Sequence, residues 1–336
     1  MSRDVGGHDS AASTVLVVVA HPDDEVLGFA GVVANAREQG RHVRVAVVTN
    51  GDWAAAGRTP FRVCGARRGR ESRVARYGLR RNRETIESLS LLGLEWSLDP
   101  RRSDVFFLGY PNSALQSIAR DESPSAHVRS GLQHTYAYAG GRARCGGDLR
   151  SLLDGRPSAL RAADLAGDVD ALLELTEPKD VYTHVSFDGH PDHAETHRQL
   201  VAALERAGAS VTLHSTLIHP EGTGERMADS AREWPNPSEA EVGTPFERFT
   251  PQHGFEAPPT GDERRGWGPL GAPDELVDVP QAMLEPDPAR NLKWQAIARH
   301  RSQILCRPDS AGIYHASCGY MRAFVKRHEF FWTRRL

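Results

Sequence analysis

Lysine is nearly missing from this chain: it stands only at Lys179, Lys293 and Lys326, and arginine supplies the rest of the 41 basic residues. Neither sign of charge is in excess, and a net charge of -3 gives no electrostatic reason to expect nucleic acid or an anionic membrane as partner. The locally basic cluster Arg62, Arg67, Arg68, Arg70, Arg73 and Arg76 reads as a solvated loop. Cysteine is scarce. Cys64, Cys145, Cys306 and Cys318 form no C-x-x-C pair and no zinc-ribbon spacing, which excludes a thiolate metal centre. Isolated thiols are the default, with a bridge between two of them left open. Long apolar runs are also absent, since the longest, Val15 to Ala20, is far short of the roughly 20 residues a membrane span needs. The polar start, Met1 to Thr14, lacks the character of a secretory signal, so a cytoplasmic protein is expected.

What is present suits one core. Hydrophobic residues make up 39% of 336, enough to bury a core that needs no staple, so a metal here would be catalytic before structural. Residues 1–13 read as a disordered tail and 14–336 as a single domain. Thr14 to Ala20 is an unbroken β-branched run, as in a strand covered on both faces of a parallel sheet. A helix from Val26 to Gln39 and a strand from Val43 to Thr49 follow, opening a βαβ unit. A helix over about 71–92, a strand at Val105 to Pro111, a helix over 158–177 and a strand at Asp180 to Val185 continue the alternation. A helix over 193–207, a strand over 211–219, a helix over 289–305 and structure at 319–332 complete it. Residues 112–158 and 220–288 read as two long loop insertions. The class is α/β, a mostly parallel sheet flanked by helices. No G-x-G-x-x-G stands in the first turn, which argues against a dinucleotide-binding protein.

Two His-Pro-Asp turns carry the chemistry, His21-Pro22-Asp23-Asp24-Glu25 and His190-Pro191-Asp192-His193. Each follows a β-run and precedes a helix, at the strand ends where open α/β sheets place their sites. His21, Asp24 and His193 make a two-histidine, one-carboxylate set that suits zinc and keeps one position open. Asp23 is left to act as general base, since zinc brings the pKa of water to about 7. His190 is expected to meet the oxyanion as an imidazolium, with Asp192 as the partner that keeps it charged and oriented.

These motifs resemble the PIG-L/LmbE-like zinc N-deacetylases. The resemblance is carried by Ala20 to Glu25, by Thr49-Asn50-Gly51-Asp52, by Arg81-Asn82-Arg83-Glu84 before Leu91-Leu92-Gly93, by Phe107 to Pro111, and by His190 to His193. It covers roughly residues 14 to 219. It implies a Rossmann-like fold and one zinc ion on His21, Asp24 and His193. It also implies Asp23 as base, His190 as oxyanion stabiliser, and a substrate of the amino-sugar class contacted by Arg81. Where some relatives carry a tyrosine this chain has Asp188, which could instead hold a metal-ligating imidazole. His197 is expected beside the site or on the surface, and His184 and His219 as structural or rim residues. Trp234, Phe246, Phe249, Phe255 and Trp267 in the second insertion read as anchors to the core before sugar platforms.

The leading expectation is hydrolysis of an N-acetyl or other N-acyl group from a 2-amino sugar or an N-acetylglucosamine-type conjugate, with that small molecule as partner, no nucleic acid and no membrane span, the oligomeric state left open. Two alternatives stand beside it: a conjugate amidase with a larger acyl pocket, and a non-catalytic sugar- or metal-binding protein on the same fold. A binder would have no use for Asp23 or His190.

Overall fold

The computed structural model describes residues 13–52, 70–121, 132–141, 145–219, 273–285, 287–304, 321, 324–326 and 328–336. Most of the second expected insertion, its five aromatic residues and Arg62, Arg67 and Arg68 of the arginine cluster lie outside them. Seven strands form one sheet in the order β3-β2-β1-β4-β5-β7-β6. They are β1 (Thr14–Val19), β2 (His42–Thr49), β3 (Val105–Tyr110), β4 (Asp180–His184), β5 (Thr212–Thr216), β6 (Glu275–Asp278) and β7 (His328–Arg335). The first five are parallel; β7 lies antiparallel between β5 and β6. The sheet is mostly parallel and flanked by helices, as the alternation implied, and the fold is Rossmann-like, as the family resemblance implied.

Strand β1 shows why its run is continuous. Val15, Val17 and Val19 enter one apolar cluster, while Leu16 and Val18 enter the cluster on the opposite face. With side chains alternating and both faces covered by helices, every position must be apolar. Strand order reverses beside β1: β2 lies on one side and β4 on the other, so the crevice at their carboxyl ends is the switch point where such sheets bind ligands.

The helices are α1 (Asp24–Gly28), α2 (Ala30–Glu38), α3 (Arg70–Leu91), α4 (Leu115–Ala119), α5 (Leu149–Asp154), α6 (Ala162–Thr176), α7 (Pro191–Ala207) and α8 (Leu292–Ile297). The single helix expected over 26–39 is broken at Phe29, whose backbone (φ −137°, ψ 3°) leaves the helical region. Glu329 of β7 explains the break: its two carboxylate oxygens accept the Gly31 and Val32 amides at 2.8 and 2.9 Å, capping a second helix start. Lys293 of α8, 2.6 Å from Glu329, neutralises that buried acid. The C-terminal segment is therefore built into the front of the domain.

The expected insertion 112–158 is in part core. Leu115, Ile118 and Leu149 of α4 and α5 are buried in the second apolar cluster, but each helix is too short to leave a periodic trace in sequence. Cys145 is disulfide-bonded rather than an isolated thiol; the other three cysteines lie outside the described residues.

Candidate active site

The chain leaves β1 through Ala20 and turns at His21-Pro22. Asp23 then adopts φ 110°, ψ −31°, a region that residues with a side chain rarely occupy. Such a conformation costs on the order of 1–3 kcal/mol and persists only where its surroundings enforce it. Here they do. The Asp23 amide donates to Glu25 Oε2 at 2.7 Å, and Arg81 Nη2 stands 2.9 Å from Asp23 Oδ2. Arg81, reaching over from α3, also donates from Nη1 to Gly51 O at 2.9 Å and from Nη2 to Pro22 O. Arg81 thus turns inward and is 6% exposed; the neighbouring Arg80, not Arg81, makes the helix-surface pair with Glu84.

Beyond β4 the second turn delivers the other half. His190 is the N-cap of α7 with Pro191 in the first helical turn, and the His190 ring accepts the Asp192 amide at Nδ1. His193, fully buried on the first turn of α7, meets His21 across the crevice, with His21 Nδ1 and His193 Nε2 3.0 Å apart. Asp24 Oδ2 lies 3.3 Å from His21 Nδ1 and 3.1 Å from His193 Nε2. The three expected ligands therefore present one donor atom each at the corners of a small triangle.

That triangle is the test of whether a metal fits. Ligands at about 2.0–2.2 Å from a tetrahedral ion stand about 3.3–3.6 Å from one another, close to the observed spacing. The charge demand agrees. Burial opposes a charged His193, yet Asp188 and Asp24 push its pKa up to about 10. Burial likewise works against ionised Asp24, but His193, His184 and His21 hold its pKa well below the usual carboxylate range. A centre that draws positive charge this strongly suits a cation.

Two acids stand behind the imidazoles of the triangle. Asp188 Oδ1 is 3.2 Å from His193 Nδ1, while its other oxygen takes the Ile218 and His219 amides at 3.0 and 3.2 Å. Asp192 Oδ2 is 3.2 Å from His21 Nε2 and accepts the Ser113 amide at 2.6 Å. This corrects one expectation. The Asp192 carboxylate partners His21 and not His190, and only its backbone amide touches His190. His190 is also not an imidazolium: burial and then the nearby His21 and His193 push its pKa down, and an Nδ1 that accepts a hydrogen bond leaves the ring proton on Nε2.

The remaining histidines sort by their contacts. His184 Nε2 accepts the Ala20 amide at 2.9 Å and stands 3.4 Å from Asp24 Oδ2, while its ring stacks on His193 with centroids 3.8 Å apart. With Asp24 and His193 it forms one group that could hold an ion, and His21, His190 and His193 form another, but the Ala20 amide already occupies the His184 ring nitrogen and the Asp192 amide occupies Nδ1 of His190. His197 Nδ1 donates to His184 O at 2.7 Å, away from the triangle. His219, 9% exposed, sits with its ring centroid 4.9 Å from that of His193.

Asp23 completes the site. Burial pushes its carboxyl up to about 6; Arg81 opposes the rise and Asp24 adds to it. Its side chain keeps 12% exposure, the access a proton acceptor needs.

One residue near Asp23 left no trace in sequence. His300 Nε2 lies 3.0 Å from Glu25 Oε1, and both side chains are wholly buried. Burial works against a charged His300, yet Glu25 raises its pKa. An unpatterned histidine in a C-terminal turn carries no motif. The third consecutive acid of the first turn, in need of a cation, was the signal available.

The chain is also similar to known proteins. The family described as PIG-L: GlcNAc-PI de-N-acetylase matches residues 16–204. The chain is similar to a protein of Saccharomonospora viridis named 1D-myo-inositol 2-acetamido-2-deoxy-alpha-D-glucopyranoside deacetylase, 26% identical over 305 residues, covering 88% of this chain and 87% of that protein. A protein of the same name from Rhodococcus opacus is 25% identical over 306 residues, covering 88% of this chain and 82% of its own length. Among solved structures, N,N'-diacetylchitobiose deacetylase from Pyrococcus horikoshii is similar with a TM-score of 0.45 and 15% identity, covering 96% of this chain and 84% of that one.

Proposed function

This chain belongs to the PIG-L: GlcNAc-PI de-N-acetylase family, and we propose that it hydrolyses the N-acetyl group of a 2-acetamido sugar conjugate with one zinc ion. The observation that carries the reading is the triangle of His21 Nδ1, Asp24 Oδ2 and His193 Nε2, with edges of 3.0–3.3 Å beside an acid that is not part of it. Two relatives named for the deacetylation of an acetamido-glucopyranoside support the substrate class.

Zinc, when bound, would supply Lewis acidity that makes water nucleophilic near neutral pH and polarises the amide carbonyl. The rest falls to the chain's own groups. Asp23 takes the proton from the attacking water and passes it to the departing nitrogen, so one carboxylate acts as base and then as acid. Its pKa of about 6 leaves it ionised at neutral pH yet basic enough to hold the proton in transit. Arg81 fixes that carboxylate and anchors the turn through Gly51 O and Pro22 O. Contact of Arg81 with the sugar, as the family resemblance implies, would come in addition to this anchoring role. His190 donates its Nε2 proton to the oxygen on which negative charge develops, as a neutral imidazole and not as a cation. Asp188 and Asp192 keep His193 and His21 turned toward one point.

The test is an amine-release assay on the zinc-loaded protein against N-acetylglucosamine conjugates of graded aglycone size, with acetate measured in parallel. Equal release of amine and acetate from at least one conjugate is expected. Amine released only from longer acyl chains would favour a conjugate amidase. Tight binding of the same conjugates without any release would mark a binding protein and end the catalytic reading.

A further inference from the structure

Asp23, Asp24 and Glu25 are three consecutive acids, and all are buried, at 8, 2 and 0% exposure. Three adjacent buried carboxylates repel one another unless each has its own cation. Arg81 serves Asp23, and the His21–His193 pair serves Asp24. Glu25 is served by His300 through an ion-pair contact, Nε2 standing 3.0 Å from Oε1 across 275 residues of sequence without hydrogen-bond geometry. The two oxygens of Glu25 face different ways: Oε1 meets His300, and Oε2 takes the amide of Asp23, the residue held at φ 110°.

Helix α3 fixes His300 as firmly as it fixes Arg81. Tyr77, Arg81, Glu84 and Ser88 follow one another at spacings of four, three and four residues, which is one stripe of a helix. Arg81 reaches Asp23. Glu84 takes the Ser302 amide at 3.1 Å and its hydroxyl, Tyr77 donates to Ser302 O at 3.3 Å, and Ser88 donates to Ala296 O at 2.8 Å. The turn carrying His300 is therefore clamped on both sides by the helix that also grips the base. His300 stands outside the 16–204 region of the family match.

We propose that His300 is a positioning residue for the hydrolysis: it holds Glu25, and through the Asp23 amide Glu25 holds the base in the backbone conformation that turns its carboxylate to the site. The claim rests on the reading of Asp23 as base, and it concerns geometry and not metal binding. His300 touches neither the metal-ligand triangle nor, by this account, the substrate.

The experiment compares His300→Met, which fills the volume without a polar group, His300→Gln, whose amide can reach Glu25, and Glu25→Gln, alone and with His300→Met. Turnover of the wild-type protein in the same assay reports on the proposed function; the ratios between variants report on this inference. His300→Met is expected to lower kcat about 10- to 100-fold, as loss of a supporting partner does elsewhere, with KM and zinc content unchanged. His300→Gln should recover most of that loss, and adding His300→Met to Glu25→Gln should cost under about twofold more, because both break one chain of contacts. A readout independent of turnover is the His300 ring-proton signal by NMR in metal-free protein, which should move in Glu25→Gln. If His300→Met does not fold, Glu25→Gln must by itself show the kcat loss at constant zinc content. Wild-type kcat in His300→Met, multiplicative losses in the double variant, or loss of zinc in step with activity would each overturn the proposal.

Discussion

The two His-Pro-Asp turns read alike in sequence and fold to opposite purposes. In the first, His21 joins the donor triangle while the next acid, Asp23, is forced to φ 110° and turned toward Arg81. In the second, Pro191 lies at the start of a 17-residue helix, His190 becomes its N-cap, and Asp192 enters the first turn with ordinary helical neighbours. Its carboxylate then accepts the Ser113 and Leu115 amides and lies against His21. Asp23, the proposed base, and Asp192, which lies against His21, occupy the same motif position. Backbone conformation and the facing element, not the motif, decide which job an aspartate has.

Substitutions can break this comparison at different depths. The largest effect belongs to His193→Ala, which removes a corner of the triangle and leaves Asp188 and Asp24 without their buried partner. Zinc binding and turnover should both disappear, read by metal analysis and the amine-release assay. Asp23→Asn keeps the triangle intact and should lower kcat about 10²- to 10⁴-fold while zinc stays bound. The same base should shape the pH profile. Its carboxyl is pushed up to about 6, so the active, ionised form is lost as pH falls through that value, and kcat/KM should decline on an acid limb near 6. A limb near 4 would mean that burial does not tune it.

Asp192→Asn is milder. It loosens His21 and should cost about 10- to 100-fold in metal affinity or activity, much of it recoverable with added zinc. The smallest effect is one of stability and lies away from both turns. His214, against Glu275 at 2.5 Å and Asp180 at 3.6 Å, has its pKa raised to about 9 despite burial. A pKa raised above the unfolded value of about 6.5 means its contribution is full below that pH and lost as pH rises through 9. The melting temperature should therefore fall between pH 7 and 10, and less so in His214→Gln.

Sequence was most informative where chemistry or periodicity is local. The β-branched run of β1 announced a strand covered on both faces, and His21, Asp24 and His193, picked out by residue type and strand-end position, do come together in one crevice. What it could not give were pairings set by the fold. His21 and Asp192 are 171 residues apart, and nothing near Asp192 says that His190, its chain neighbour, is not its partner. Arg81 offered an i,i+3 partner in Glu84, but the register of α3 hands Glu84 to Arg80 and Ser302 and sends Arg81 to Asp23. The helix break at Phe29 depends on Glu329, which arrives some 300 residues later. His300 was invisible for the same reason.

The division of labour between the turns is tested most directly by zinc content at limiting metal in Asp23→Asn and Asp192→Asn, measured side by side with the wild-type protein. The account predicts wild-type zinc content in Asp23→Asn together with lost turnover, and reduced zinc in Asp192→Asn with turnover returning as metal is added. Equal zinc content and equal loss of turnover in the two variants would contradict it.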